Sequence, residues 1–511
     1  MILETVLTSA PDWLRAHAAV LVVVFPLVAA PLLCMLPGGR LPWVLTILTT
    51  ALSFLCALVV LATIQSSPVG VISYPLGNWP PPIGIEFRLD ALNSIVLLIV
   101  TGTGLLASIF GWSTISAELR SEKLGMFFGT FLLCFSGLLG VTATADAFNL
   151  FVFLEISSLA TYALVAMGAK RDRRALPAAF NYLIMGTLGA SFFVIGVGFL
   201  YAATGTLNMA DMATQLPALT GNRAVQVGFG FIVVGLGLKA AMWPLHQWLP
   251  GAYSYSPSFV TMFLSATATK VALYALIRFL FTVFQPDYAF EQASFVWIFA
   301  PLGIAAMLIC SFQACFQTDV RRILAYSSVA QVGYMILGVS LATASGVAAG
   351  LLHMFNHALM KGALFMAVAG ICLTYSRSHI RDFAGAGRSA PWTMTAFAIA
   401  GLSLIGVPLT AGFISKVQLG SALFESGWWW AVLLMVFSSF LAVFYIGRIL
   451  QAVFFMPPAD PRKLPKEAPV LLLVPLWILA LANIYFGVAA DFPVSLAREG
   501  AVAALGVEAF R

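Results

Sequence analysis

Fourteen apolar runs, each close to the roughly 20 residues a helix needs to cross a bilayer, leave this chain little choice of fold. They fall near 17–36, 42–64, 91–113, 125–143, 147–168, 177–202, 224–245, 257–281, 294–313, 323–342, 346–373, 391–420, 427–454 and 468–489. Inside lipid every backbone N–H and C=O must be satisfied by the protein itself, and uninterrupted segments of this composition do so as helices. Only 9% of the 511 residues are charged, against about 25% in a soluble domain. The expected class is an all-α polytopic membrane protein of about fourteen transmembrane helices. It forms a single membrane domain over 1–511, with no soluble module.

The few charges are placed unevenly. Sixteen lysines and arginines, among them Arg120, Lys123, Arg321 and the run Lys170–Arg174, sit after odd-numbered runs or near that face; six, Arg15, Arg88, Arg223, Arg278, Arg498 and Arg511, sit on the other. Cytoplasmic loops carry the excess of Lys and Arg, so both termini are expected outside, in a multi-pass protein of the cell membrane. The net charge of +6 is then a topology signal, and no nucleic-acid partner is expected. The first run follows Glu4 and Asp12 without a basic segment, so it reads as a retained helix and not as a cleaved signal. The six cysteines form neither CxxC pairs nor Cys/His metal spacings and read as small hydrophobes. No disulfide, metal, haem, flavin or iron–sulfur site is expected.

Against this background five buried charges stand out: Lys239, Lys270, Lys361, Lys416 and Glu155 lie inside apolar runs. A charge at the bilayer centre costs at least about 2.5–3.5 kcal/mol, and such residues usually mark ion or proton paths. Two runs also carry helix breakers. "LGLKAAMWPLHQWLPGAYSYSPS" holds Pro244, Pro250 and Pro257, and "GLSLIGVPLTAGFISK" holds Gly406, Pro408 and Gly412. Interrupted segments at corresponding positions of two halves point to transporter repeats. The seventh and twelfth runs are five apart, which suits two inverted five-helix repeats over 125–281 and 294–454. Residues 1–124 would form the first three helices, and 455–511 the last helix and a tail.

The polar residues then take candidate roles. A buried lysine and a buried carboxylate each lose hydration and are cheapest when paired, so Glu155 and Lys239 could form a switchable pair or a static one. Lys270 is too deep to reach the surface; it relays protons or bonds carbonyls of the broken helix. His353, His357 and Lys361 recur every four residues and share one helix face over about 12 Å. Two imidazoles and an amine in a row suit proton transfer, while a metal at the two histidines lacks a third ligand nearby. Lys416, nine residues from Glu425, either joins this path or reaches toward the surface. His246, beside Trp248, either bonds unwound carbonyls or gates between Lys239 and Lys270. Asp146 and Asn149 read as a helix cap, and Trp428–Trp430 as an interfacial belt. The basic run Lys170–Arg174 and the segment 375–390 read as topology signals or as a docking surface for a partner.

The runs "LKAAMWPLHQWLPGAYSYSPS", "ATKVALYALIRF", "QTDVRRILAYSSVAQVGYMILG", "HMFNHALMKGALFM" and "GVPLTAGFISK" resemble the proton-conducting antiporter-like subunits shared by respiratory complex I and Mrp-type cation/proton antiporters. The resemblance runs in order from about 85 to 455. It implies fourteen helices, inverted repeats and a water-linked chain of buried charges across the midplane. By the same resemblance Glu155 pairs with Lys239, Lys270 relays protons inward, and His353, His357 and Lys361 form the central relay. Lys416 ends the second channel. Helices 1, 2, 3 and 14 would face lipid or neighbouring subunits of the same complex. The expected function is the proton-translocating subunit of a multisubunit Mrp-type Na+/H+ antiporter, without catalytic chemistry or a cofactor in this chain. The alternative is a proton-pumping subunit of a complex I-like NADH:quinone oxidoreductase, to whose form "WPLHQWLPGAYSYSPS" is closer.

Overall fold

The computed structural model describes residues 10–374, 378–458 and 464–506, apart from the side chains of Glu291 and Gln292. Arg377, Arg462, Lys463, Arg511 and Glu4, used in the charge argument, lie outside the described residues, as does part of the 375–390 segment. Among the described residues twelve helices are long and apolar enough to cross a membrane. Six of them open the chain: α1 (Asp12–Met35), α2 (Arg40–Ser66), α3 (Ala91–Glu118), α4 (Leu124–Ala143), α5 (Ala147–Ala166) and α6 (Ala175–Thr204). The seventh predicted span, 224–245, is helical only over α7 (Arg223–Lys239), and a separate short helix, α8 (Trp248–Tyr255), follows the break. Four long helices follow: α9 (Ser258–Val283), α10 (Val296–Phe316), α11 (Val320–Ser340) and α12 (Ala344–Cys372). The twelfth predicted span is split into α13 (Pro391–Ile405) and α14 (Ala411–Glu425), and α15 (Trp429–Phe455) and α16 (Val470–Val488) complete the set.

Both breaks occur at the proline- and glycine-bearing segments, and both are satisfied locally. After α7 the freed Leu238 carbonyl accepts from the Trp248 indole at 3.0 Å, and Trp248 stacks on Tyr182 of α6 at 4.0 Å. After α13, Gly406 takes φ +92°, a conformation costly for residues with a Cβ. From there its N–H reaches the Leu402 and Ser403 carbonyls at 3.0 Å. The start of α14 is held by the Ser403 hydroxyl on the Gly412 N–H and by Asn356 of α12 on the Ala411 carbonyl at 2.7 Å. Elsewhere small residues let backbones approach, as expected where helices pack in lipid. A Cβ on Gly235 of α7 would lie 2.6 Å from the Gly189 carbonyl of α6.

Contacts between distant residues show which helix ends share a face. Glu118 at the end of α3 accepts from Arg171 at 3.1 Å and caps α9 through the Ser258 N–H and hydroxyl. Arg321 at the start of α11 joins them through the Ser258 hydroxyl and the Ser256 carbonyl. This is the basic face. On the opposite face Asp90 caps α3 and holds Arg278 of α9. Two elements that sequence reading did not foresee also lie on that side. One is a hairpin, β1 (Ile72–Pro75) against β2 (Glu86–Leu89), with Ile72 opposite Leu89. The other is α17 (Asp491–Leu505), whose Leu496, Ala497, Gly500 and Ala501 are buried as it packs on α3 and α12.

Two expectations need correction. Helix α3 does not face lipid: most of it is buried against α2, α9, α12, α16 and α17. Arg278 and Arg321 were counted as loop charges, yet both are buried, at 7% and 2% exposure. Each neutralises or bonds a specific partner, which a count along the sequence treats as solvent.

Candidate functional site

Lys239 is the last residue of α7, so its side chain leaves the helix at the break. Its Nζ lies 3.4 Å from Glu155 Oε1 and donates to Ser158 Oγ at 2.6 Å, both on α5. Glu155 and Ser158 are three residues apart and therefore neighbours on one face of that helix. The expected pair is brought together, and a hydroxyl that sequence reading missed completes it. At its head α5 is capped by Asp146, whose carboxylate accepts from the Asn149 N–H at 2.6 Å.

Lys270 is buried in α9, just past a kink where Thr267 takes φ −122°, ψ −57°. The kink redirects the Lys270 N–H to the Thr267 carbonyl, and the Lys270 ammonium turns back to the Ser265 carbonyl. Its bond is thus to backbone, the plainer of its two expected roles. The helix that carries it packs against α12, the helix of His357 and Lys361.

On α12 the three polar residues form one buried stripe. His353 is held at both nitrogens, Nε2 to Gln331 Oε1 at 2.8 Å and Nδ1 to Ser415 Oγ at 2.9 Å. The His357 ring lies parallel to it, 6.2 Å away at 8°. Neither His357 nitrogen has a hydrogen-bond partner among the described residues, although the residue is fully buried. Lys361 donates to the Leu324 carbonyl at 2.8 Å and to Ser327 Oγ at 2.5 Å, both on α11. An ordered histidine, a free one and a caged lysine therefore follow one another down one face.

Lys416 on α14 is buried and does not reach the surface. Its Nζ donates to the Leu404 and Ile405 carbonyls at 3.1 and 2.8 Å and to Ser439 Oγ at 3.0 Å, and lies 5.1 Å from the Tyr334 ring centre. His246 has neither Lys239 nor Lys270 among its bonding partners. Its Nε2 faces Cys310 Sγ of α10 at 3.8 Å, Nδ1 is unpartnered, and the ring lines a cavity of about 440 Å³ with Gln247, Gln313 and Tyr326. Among the described residues no three His, Cys, Asp or Glu side chains converge as a metal site.

Sequence reading missed Ser158, Gln331, Ser327, Ser415, Ser439 and Tyr334. Each lies within two turns of other polar residues along its helix. Serine and threonine are common in membrane helices, however, where they bond carbonyls of the preceding turn, so no local signal separates these from the rest.

Residues 144–442 match the family described as NADH:quinone oxidoreductase/Mrp antiporter, TM. The chain is 39% identical over 495 residues to a NADH-quinone oxidoreductase subunit of Desulforudis audaxviator, covering 93% of this chain and 96% of that one. It is 29% identical over 424 residues to a Na(+)/H(+) antiporter subunit of Bacillus subtilis, covering 83% and 84%. A subunit of the membrane-bound sulfane sulfur reductase, an archaeal respiratory membrane complex, superposes with a TM-score of 0.86 at 31% identity, covering 96% and 98%. With a family match over more than half its length, and with long relatives at this identity, the chain belongs to the NADH:quinone oxidoreductase/Mrp antiporter transmembrane family.

Proposed function

We propose that this chain moves protons across a membrane through Glu155, Lys239, His246, Lys270, His353, His357, Lys361 and Lys416. It does so as one subunit of a multisubunit Mrp-type cation/proton antiporter. The carrying observation is Lys239 at the break of α7, its ammonium within reach of both Glu155 and Ser158. A static ion pair needs no second acceptor, whereas a lysine with two can leave the carboxylate when a proton arrives. From there Lys270, the α12 stripe and Lys416 extend the row of ionisable groups into the second half of the chain. His357, buried with two free nitrogens, is the group best suited to pass a proton on. The antiporter reading is supported by the relative in Bacillus subtilis. The second reading, a proton-pumping subunit of a complex I-like redox assembly, is favoured by the 39% identity to a NADH-quinone oxidoreductase subunit. In either assembly the partners are other membrane subunits.

The basic face is placed in the cytoplasm and both termini outside, in a cell membrane, with fourteen crossings and two inverted repeats. The charge asymmetry and the positions of the two breaks support this. Cysteines introduced in 170–174 should label from the cytoplasm only, and labelling from outside would overturn the orientation. Proton flux in assembled complexes carrying Glu155→Gln or Lys239→Ala tests the relay, and flux unchanged from wild type would reduce the pair to packing. Mass spectrometry of the complex purified from its native membrane decides between the assemblies, since redox subunits and small antiporter subunits differ plainly.

A further inference from the structure

A cavity of about 1150 Å³ lies at the end of the bundle away from the basic face. Arg88, Asp90, Tyr274, Arg278, Arg498 and Glu499 are among its lining residues. The last two come from α17, so the terminal helix walls the cavity. Nothing in the relay described above uses it.

Three of its features connect it to that relay. Lys270, Tyr274 and Arg278 are four residues apart on α9, so they share one face, whose backbone rises about 12 Å from Lys270 to the cavity wall. Tyr274 is fully buried and anchored: its hydroxyl donates to the Thr142 carbonyl at 3.0 Å and accepts from Asn93 Nδ2 at 2.7 Å. Arg278 closes the stripe with a two-pronged contact on Asp90, 2.8 Å on each arm, and a third bond to Asn93 Oδ1 at 2.9 Å. A guanidinium does not release its proton at working pH, so Arg278 cannot itself hand a proton on. The guanidinium keeps its charge beside the cavity, offset in the pair by the Asp90 carboxylate, and a fixed arginine charge is one of the barriers by which selective pores exclude protons and cations.

We propose that the Asp90–Arg278 pair is a gate between the Lys270 stripe and an aqueous vestibule on the less basic face, with the Arg278 charge keeping the path proton-tight. This rests on the relay reading of Lys270. With the gate removed, a hydronium in the vestibule would become water as the Tyr274 oxygen takes its proton. The phenol would then turn its hydroxyl from the Thr142 carbonyl and pass its own proton through water to the neutral Lys270 amine, leaving an ammonium and an unchanged tyrosine.

The test is passive proton leak into liposomes holding the purified complex, under an imposed pH gradient and without any driving substrate. Asp90→Asn/Arg278→Gln keeps the shape of the pair and removes both charges, so it should assemble and leak at least tenfold faster than wild type. Asp90→Asn alone keeps the arginine charge and should stay tight. Adding Tyr274→Phe or Lys270→Ala to the double variant should restore tightness. An assembled double variant as tight as wild type overturns the gate, as does a leak that survives Lys270→Ala or an equal leak from Asp90→Asn alone. If the double variant does not assemble, Arg278→Lys replaces it, because lysine keeps a charge but can shed it. A leak about threefold above wild type is then expected, and a tight Arg278→Lys overturns the gate. Driven flux in Lys270→Ala separates the two readings. If that flux is normal, the relay itself has failed, while lost flux together with a tight double variant rejects only the gate.

Discussion

Lys239 and Lys416 each stand at a helix break at membrane depth, yet they are held by different chemistry. Lys239 meets a carboxylate and a hydroxyl on α5. Lys416 meets the last two carbonyls of α13, the Ser439 hydroxyl and the face of Tyr334. The end of a helix carries roughly half a negative charge on its unsatisfied carbonyls, so α13 stabilises an ammonium without any acid. The lesson is that a buried lysine can be supported by an opposite charge or by fixed dipoles, and only the first support can itself change charge. Glu155 can take up a proton, whereas the Leu404 and Ile405 carbonyls cannot. In the proposed relay the α5–α7 region is therefore the one to switch, and the α13–α14 region the one to hold.

The largest effect should come from breaking the switch. Glu155→Gln leaves the buried Lys239 without its charged partner, and removing one member of a buried pair costs about 3–5 kcal/mol; Lys239→Ala leaves the partly exposed Glu155 unpaired. Proton flux in either assembled variant is expected to fall at least tenfold, whereas flux within twofold of wild type would erase the contrast with Lys416. Between the two regions, Lys361 distinguishes charge from proton transfer. Lys361→Arg keeps the charge but not the exchangeable proton, so flux should be lost in it as fully as in Lys361→Ala. Near-normal flux in the arginine variant would retire the relay through α12.

A smaller effect is expected at the holding site. Alanine at Gly406 would have to adopt φ +92°, and its Cβ would lie 2.9 Å from Lys416 Cδ. The left-handed conformation costs about 1–2 kcal/mol, which detergent-titration unfolding should register together with a partial loss of flux. Ser439→Ala removes one acceptor of three around Lys416 and should reduce flux only a few-fold. If Ser439→Ala matched Glu155→Gln, the holding description would be wrong.

The smallest effect lies on the basic face, where the Arg174 guanidinium grips Asp172 at 2.6 Å and holds its carboxyl below the usual carboxylate range. A depressed carboxylate stabilises the fold above its unfolded pKa, and that contribution is lost as pH falls through the folded value, here on the acid side of about 4. The pair is solvent-exposed, so Arg174→Ala should change stability at neutral pH by no more than about 1 kcal/mol and leave flux intact.

What was legible in the sequence was what a bilayer enforces on neighbouring residues. Apolar run length set the helices, proline and glycine set both breaks, and the rarity of buried charge singled out Glu155 and the four lysines. The α12 stripe was legible for the same reason, because four-residue spacing fixes a face whatever surrounds it. Beyond the Glu155–Lys239 pair, the partners were not legible. Ser158 lies 81 positions from Lys239, Ser439 lies 23 from Lys416, and Asp90 lies 188 from Arg278. No local rule ties a hydroxyl or a carboxylate to a lysine that far along the chain.

The sequence by itself thus determined that this chain crosses a membrane, where its helices fail, and which groups are too costly to be there by accident. Only the tertiary structure decided which hydroxyls and carbonyls each lysine received. It also decided that α3 is core and not lipid-facing, and that Arg278 and Arg321 are buried partners rather than loop charges. The physical reason is one of range. Hydropathy and backbone conformation act within a helix turn or along one span, whereas the state of a buried charge depends on whatever packing brings within a few ångströms of it.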